Sequence, residues 1–483
     1  MEKKIIFLFI SLVFSIGIYA QDTTGMESDF EIPDVEHITE GIGGNLNFST
    51  IGDQYFFGAR FKPDISIGKL GFGLDVPLLI NVQTGKIRVD EFQDGVGPLR
   101  VIRYVRWGIK KKDPVYFRIG ELSDAQLGFG MLLSDYNNSI SFEKRKLGFE
   151  FDFVVKKKYG LEMIYSDLDF SSFNLLAIRP YYKPFGATSI PIVKTFEIGL
   201  SYATDHDHTV LTQNDSLLIR SNYFLDKGVN SFAADMGFWI FNFKWLRWDV
   251  YAQAGYMPKI MSDTLANYIT NASDAFLSGY KNGMGWSIGT DFKFNFFGNL
   301  LKINYRAERF WHSDYYLSRF YNFGYELNKD ERILELINSH EDQGMYFNLQ
   351  ASILDKIIFR SNIIFDDVIN EQHPAVMSVG LDLSNVVDKL TLYTSLYKAD
   401  ITNFSDILKF DDNTMFKTLV GWRIYQVPVI KLQFNVGASF MWTYAFLKDG
   451  DFTATRYFSP YFSINIPLNE KKKTEKENKM EVE

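Results

Sequence analysis

The sequence predicts an all-β chain closed into a transmembrane antiparallel up-and-down β-barrel of about 18 to 20 strands. Three observations carry that expectation. Hydrophobicity alternates with a period of two over unusually long stretches. Short turns alternate with long polar loops along the chain. A segment at the start has the composition of an export signal.

The alternation is clearest between residues 286 and 308. Trp286, Ile288, Thr290, Phe292, Phe294 and Phe296 alternate with Ser287, Gly289, Asp291, Lys293 and Asn295. After a tight turn at 297–299, Leu301, Ile303, Tyr305 and Ala307 alternate with Lys302, Asn304, Arg306 and Glu308. Successive strand side chains point to opposite faces of a sheet, so this hairpin has one apolar face and one charged face.

Five strands are expected before residue 147, near 43–50, 54–61, 65–78, 99–109 and 114–120, separated by basic turns at 62–64 and 110–113. From 147 onward about fifteen more follow. Their apolar faces include Phe149, Phe151 and Phe153, then Trp248, Val250 and Ala252, then Phe347, Leu349 and Ala351, and finally Phe434, Val436 and Phe440. Short turns are expected at 156–158, 242–244, 297–299, 354–356, 384–388 and 426–428. Between them lie longer polar stretches at 204–228, 258–281, 312–342, 367–373, 400–414 and 445–453. A soluble β-sandwich also alternates, but its strands average about 5 or 6 residues and its connections lack this rhythm.

Lys3 and Lys4 precede an apolar run from Ile5 to Ile18 and a small residue, Ala20, which is the pattern of a cleaved secretory signal over 1–20. The run is shorter than the ~20 residues a spanning helix needs. Residues 21–42 are expected to form a periplasmic segment or plug, 43–467 the barrel, and 468–483 a disordered tail of mixed charge. No later run approaches 18 apolar residues, which excludes helical spans beyond the signal, although 46% of the chain is hydrophobic and 17% aromatic. Cysteine is absent, which excludes disulfides and thiolate metal sites. A net charge of −8 without basic clusters argues against nucleic acid as a partner.

The signal, the alternation and the loop rhythm together resemble bacterial outer-membrane β-barrel proteins over essentially the whole mature chain. That resemblance implies an outer-membrane location with lipid on the outer face, external long loops and both ends in the periplasm. Many such barrels end on an aromatic residue, whereas here Tyr461, Phe462, Ile464 and Ile466 are followed by a charged tail.

If the apolar faces meet lipid, the alternate residues face a lumen. The candidates are Glu150, Asp152, Arg247, Asp249, Asp291, Lys293, Lys302, Arg306, Glu308, Arg360, Asp382 and Lys431, with Asp366 at a strand end. Acids and bases are nearly balanced, which suits pairs bracing the wall better than a selective ring of one sign. A barrel of roughly twenty strands is open unless something fills it. The candidate fillers are the N-terminal segment, residues 121–146 and the 312–342 loop, whose KDERILELIN run reads as a short helix.

No enzyme is expected. The histidines, His37, His206, His208, His312, His340 and His373, fall in loops or at strand ends, and no GxSxG motif accompanies them. The His206, Asp207, His208 triplet offers too few ligands for a metal, and Asp411, Asp412 and Asn413 lack EF-hand spacing. No cofactor and no metal is therefore expected. Aromatics from Trp311 to Tyr325 read as an interfacial girdle. The function expected is a porin-like channel for passive or gated passage of a small solute. The alternative is a plugged barrel serving as a surface-binding or secretion-associated scaffold, and a carrier of hydrophobic compounds would need an apolar pocket inside the barrel.

Overall fold

The computed structural model describes most of residues 41–467. The segments 1–40, 207–227, 261–280 and 468–483 lie outside the described residues, as do shorter stretches within 52–53, 90–96, 140–144 and 447–451 and isolated positions that include Lys431. The expected signal and tail therefore fall outside them, as does the N-terminal segment up to residue 40, while Gly41 and Ile42 begin β1.

The described strands are β1 (Gly41–Ile51), β2 (Gln54–Ile67), β3 (Leu70–Leu74), β4 (Val76–Asn81), β5 (Ile102–Trp107), β6 (Val115–Gly120) and β7 (Gly148–Val155). They continue as β8 (Tyr159–Tyr165), β9 (Leu176–Tyr182), β10 (Glu197–Asp205), β11 (Val229–Asn242), β12 (Leu246–Met257), β13 (Gly283–Phe296) and β14 (Leu301–His312). The last are β15 (Asp342–Ile353), β16 (Ile357–Asp366), β17 (Ala375–Asp382), β18 (Leu390–Ile401), β19 (Thr414–Val427), β20 (Leu432–Phe446) and β21 (Phe452–Pro467). One helix, α1 (Lys329–Asn338), covers the KDERILELIN run.

Apart from the β3–β4 and β4–β5 steps, each strand pairs antiparallel with its sequence neighbours, and β1 pairs with β21, so the sheet closes on itself. β3 and β4 are two parts of one strand interrupted at Asp75, because both pair with β2, which makes the wall a closed barrel of twenty strands. β5 and β6 are its shortest full staves at 6 residues each, against 15 and 16 for β20 and β21.

The turn expected at 62–64 is absent. β2 runs straight through Lys62, Pro63 and Asp64, and the chain reverses instead at Gly68, whose φ of +59° suits a tight turn without a Cβ clash. Lys62 and Asp64 remain in the wall because Asp75 and Arg103 neutralise them from inside. The turns at 156–158 and 354–356 are where expected, with positive φ at Lys156, Lys157, Leu354 and Asp355.

The two faces of the sheet differ as the alternation requires. Along β13, Trp286 and Ile288 are 49% and 55% exposed while Ser287 between them is 1% exposed. Stacked rings mark both margins of the outer face. Trp286 lies on Trp311, with centroids 4.0 Å apart, near the long-loop end, and Phe294 stacks with Phe296 near the other. The ten residue steps from Trp286 to Phe296 span roughly 34 Å along a strand and, at a tilt of about 40°, roughly 26 Å along the barrel axis. That matches the apolar band of an outer-membrane barrel. No described helix is long and apolar enough to cross a membrane.

Candidate functional site in the barrel lumen

Two connections at the long-loop end turn inward and fill one side of the barrel. Residues 121–139 follow β6, and residues 313–341, which carry α1, follow β14. A short ladder joins them: Arg319 N donates to Met131 O at 2.9 Å, Tyr321 N to Leu132 O at 3.1 Å, and Ser134 N to Tyr321 O at 3.2 Å. Around it Leu127, Leu133, Tyr136, Tyr316, Phe320, Tyr325 and Leu336 form a packed apolar cluster that also meets wall residues such as Ala203 and Ala233. This cluster is the core of the inserted loops rather than a pocket for hydrophobic cargo.

The aromatics of 311–325 thus divide. Trp311 belongs to the outer girdle, but Tyr316, Phe320, Tyr321 and Tyr325 are fully buried inside the barrel, which corrects their assignment to the girdle. Their placement depends on notches in the wall. Gly255 and Gly285 are cross-strand partners, and Cβ atoms there would lie 2.0 and 2.3 Å from the Tyr316 ring system. Phe129 uses Gly237 in the same way and stacks on Tyr251 at 4.7 Å.

Polar anchors fix the loops to the inner wall. Met131 N donates to Gln253 at 2.9 Å, Gly128 N to Glu162 at 2.7 Å, and Tyr346 Oη to Asp135 at 3.0 Å. Tyr325 Oη and Lys329 Nζ both donate to Asp205, at 2.9 and 2.8 Å. Glu326 accepts from Tyr136 and from Lys146. Burial alone would push the Glu326 carboxyl up, but Lys329 and Lys146 beside it prevail and hold it below the ordinary carboxylate range.

The described residues among the sequence-derived lumen candidates are buried or half-buried and mostly paired. Glu150 accepts from Lys110 at 2.6 Å and Tyr116 at 2.9 Å, and Asp152 from Lys111 N at 2.9 Å. Arg247 pairs with Asp249 at 2.9 Å, while Asp291 lies 3.4 Å from Arg306 and 3.8 Å from Lys293. Lys302 is 3.3 Å from Asp355, and Asp382 accepts from Ser384 N at 2.7 Å. Three reach the inserted loops: Arg360 donates to Asp124 at 2.7 Å, Arg306 to Gln126 Oε1 at 3.3 Å, and Glu308 receives Arg319. Lys431 lies outside the described residues.

Sequence reasoning missed Arg179, which is wholly buried between Glu162 at 3.1 Å, Glu197 at 2.7 Å and Asp235 at 2.8 Å. Its alternation with Ile178 and Pro180 was the available signal. Asp411 is engaged by Lys398 and by Thr414 at 2.8 Å. Of the His206 triplet, only His206 is described, against the edge of Phe173.

The inner face is consequently two-sided. From β7 to β14 the inner face carries buried charges, among them Glu162, Arg179, Asp205 and Glu308, and the inserted loops bond Glu162, Asp205 and Glu308. From β15 to β21 inward residues such as Asn348, Asn362, Ser378, Ser395, Asn435 and Ser463 stay half-buried. Asn362 bonds Ser378 at 3.1 Å and Asn435 bonds Ser463 at 3.3 Å, forming cross-strand pairs of amides and hydroxyls.

A closed antiparallel barrel with an apolar outer band, aromatic margins and a polar interior is a bacterial outer-membrane β-barrel protein. No family model and no catalogued relative matches the sequence. Among solved structures, the outer membrane protein OprD from Pseudomonas aeruginosa is 9% identical, with 90% of this chain and 97% of that one covered at a TM-score of 0.33. The outer membrane protein opdK from the same organism is also 9% identical, with 88% and 97% covered at 0.31. CdiB from Acinetobacter baumannii is 9% identical at 0.27, with 88% of this chain covered but 60% of CdiB, so the chain spans about three fifths of that protein. No residue correspondence follows from likenesses of this size.

Proposed function

We propose that the protein is a channel through which small hydrophilic solutes cross the outer membrane along the β15 to β21 side of the lumen. The carrying observation is the two-sided interior, in which inserted loops seal the charged side while the opposite amide and hydroxyl surface keeps its accessibility. Asn and Ser groups exchange hydrogen bonds with a hydrated solute at little energetic penalty. Lys417 and Arg423, inward on β19, add a mild preference for anions. The loops set the size limit.

Purified, folded protein in a planar bilayer should give discrete conductance steps with weak anion selectivity. A protein that inserts but never conducts removes the channel reading and favours the plugged scaffold, which would then copurify with a stoichiometric partner from native membrane.

A further inference from the structure

We propose that the external rim binds one divalent transition-metal ion of the Zn2+ class between His312, Asp342, Asp366 and His373. His312 is the last residue of β14 and Asp342 the first of β15, and they are cross-strand partners. Asp366 ends β16, and His373 lies in the connection that follows. Three adjacent strands thus bring Asp342, Asp366 and His373 together at the long-loop end, with His312 beside Asp366.

His373 Nδ1 lies 3.0 Å from Asp366 Oδ2 and 3.1 Å from Asp342 Oδ2. One nitrogen carries at most one hydrogen, so it can satisfy only one of these ionised acceptors. His312 supplies an independent observation. Its Nδ1 lies 3.3 Å from the Ser313 carbonyl, which can only accept, so Nδ1 carries the proton. Its Nε2 lies 3.8 Å from Asp366 Oδ1. An imidazole whose far nitrogen donates to a carbonyl is oriented as metal-ligating histidines usually are.

The two carboxylates and the imidazoles offer lone pairs that one cation can share. Donor atoms from Asp342, Asp366 and His373 lie within 4.8 Å of one another. Two ligands bound at about 2.1 Å in tetrahedral array stand roughly 3.4 Å apart, inside the observed spread of separations. Two imidazoles disfavour Ca2+ and Mg2+, which prefer oxygen shells, and favour Zn2+ or a neighbour. Because His312 and Asp342 flank residues 313–341, the ion would close the neck of the inserted loop and tie it to the β16–β17 connection.

The test uses the full chain, refolded in detergent, stripped with chelator and titrated calorimetrically with Zn2+ alone. One equivalent should bind, H312Q and H373Q should each weaken it at least about tenfold, and H340Q should leave it unchanged. Absence of binding, or binding undiminished in H312Q/H373Q, overturns the site. Heat-dependent gel mobility verifies that each variant is folded. Should the variants fail to fold, wild-type protein decides: Zn2+ should shield His373 from diethylpyrocarbonate, and unshielded modification overturns the proposal.

Discussion

Arg319 on the inserted loop donates through both terminal nitrogens to the two carboxylate oxygens of Glu308 on β14, at 3.0 and 2.8 Å. Tyr251 also donates to Glu308, at 2.9 Å, and the Arg319 guanidinium lies over the Tyr346 ring at 3.7 Å. Wall and loop are therefore locked by a charge pair that water does not reach.

Removing one partner of this pair leaves the other buried and uncompensated, an effect of about 3 to 5 kcal/mol. Arg319→Met is expected to release residues 313–341, seen as new tryptic cleavage within the loop and as larger conductance steps. The double variant E308L/R319M should regain part of the loss, since no orphan charge remains.

Gly285→Ala tests the notch beneath Tyr316. Overpacking of this kind is worth roughly 1 to 3 kcal/mol. The expected outcome is weaker loop docking at unchanged strand content, measured by proteolysis beside far-ultraviolet circular dichroism.

Lys417→Glu should move the reversal potential in a KCl gradient toward cations, because the residue faces the proposed path. Asp249→Asn, buried on the opposite wall and paired with Arg247, should leave it nearly unchanged. Equal shifts in both variants would contradict a path confined to the β15 to β21 side.

Phe292→Arg places a charge near the middle of the lipid-facing band and should destabilise the folded barrel by about 2 to 4 kcal/mol. Thr391→Arg, at an inward position, should show much less effect. Urea-dependent refolding into lipid vesicles distinguishes them.

Asp406 predicts an acid-resistant turn. Hydrogen bonds from Lys409 at 2.6 Å and Thr402 Oγ1 at 2.7 Å, with the amides of Thr402 and Asn403, hold its carboxyl well below the usual range. A depressed native value contributes stability above the unfolded pKa of about 4, lost as pH falls through the native value. Amide protection at Thr402 and Asn403 should therefore persist at about pH 4 and decline only in stronger acid. In Asp406→Asn that step should vanish.

The twenty-strand wall was legible because lipid outside and a polar interior impose a strict period of two on every stave. The short helix at 329–338 was legible too, from local composition. Lys62 and Asp64 misled because a charged dipeptide around Pro63 resembles a turn, and only their distant partners Arg103 and Asp75 explain why they stay in β2. Tyr316 and Tyr325 misled for a related reason: an aromatic facing lipid and one facing a folded-in loop look alike locally. The rim cluster could not be read at all, since His312, Asp342, Asp366 and His373 meet only through the pairing of β14, β15 and β16.

The brevity of β5 and β6 bears on how the barrel comes apart. A cylinder under outward tension fails where its hoop is thinnest, and the six-residue staves β5 and β6 are thinner than the seam where β1 meets β21. Rupture would therefore begin in mid-chain, beside the root of residues 121–139, and the first piece to lose its grip on the wall would be the inner stopper rather than either terminus.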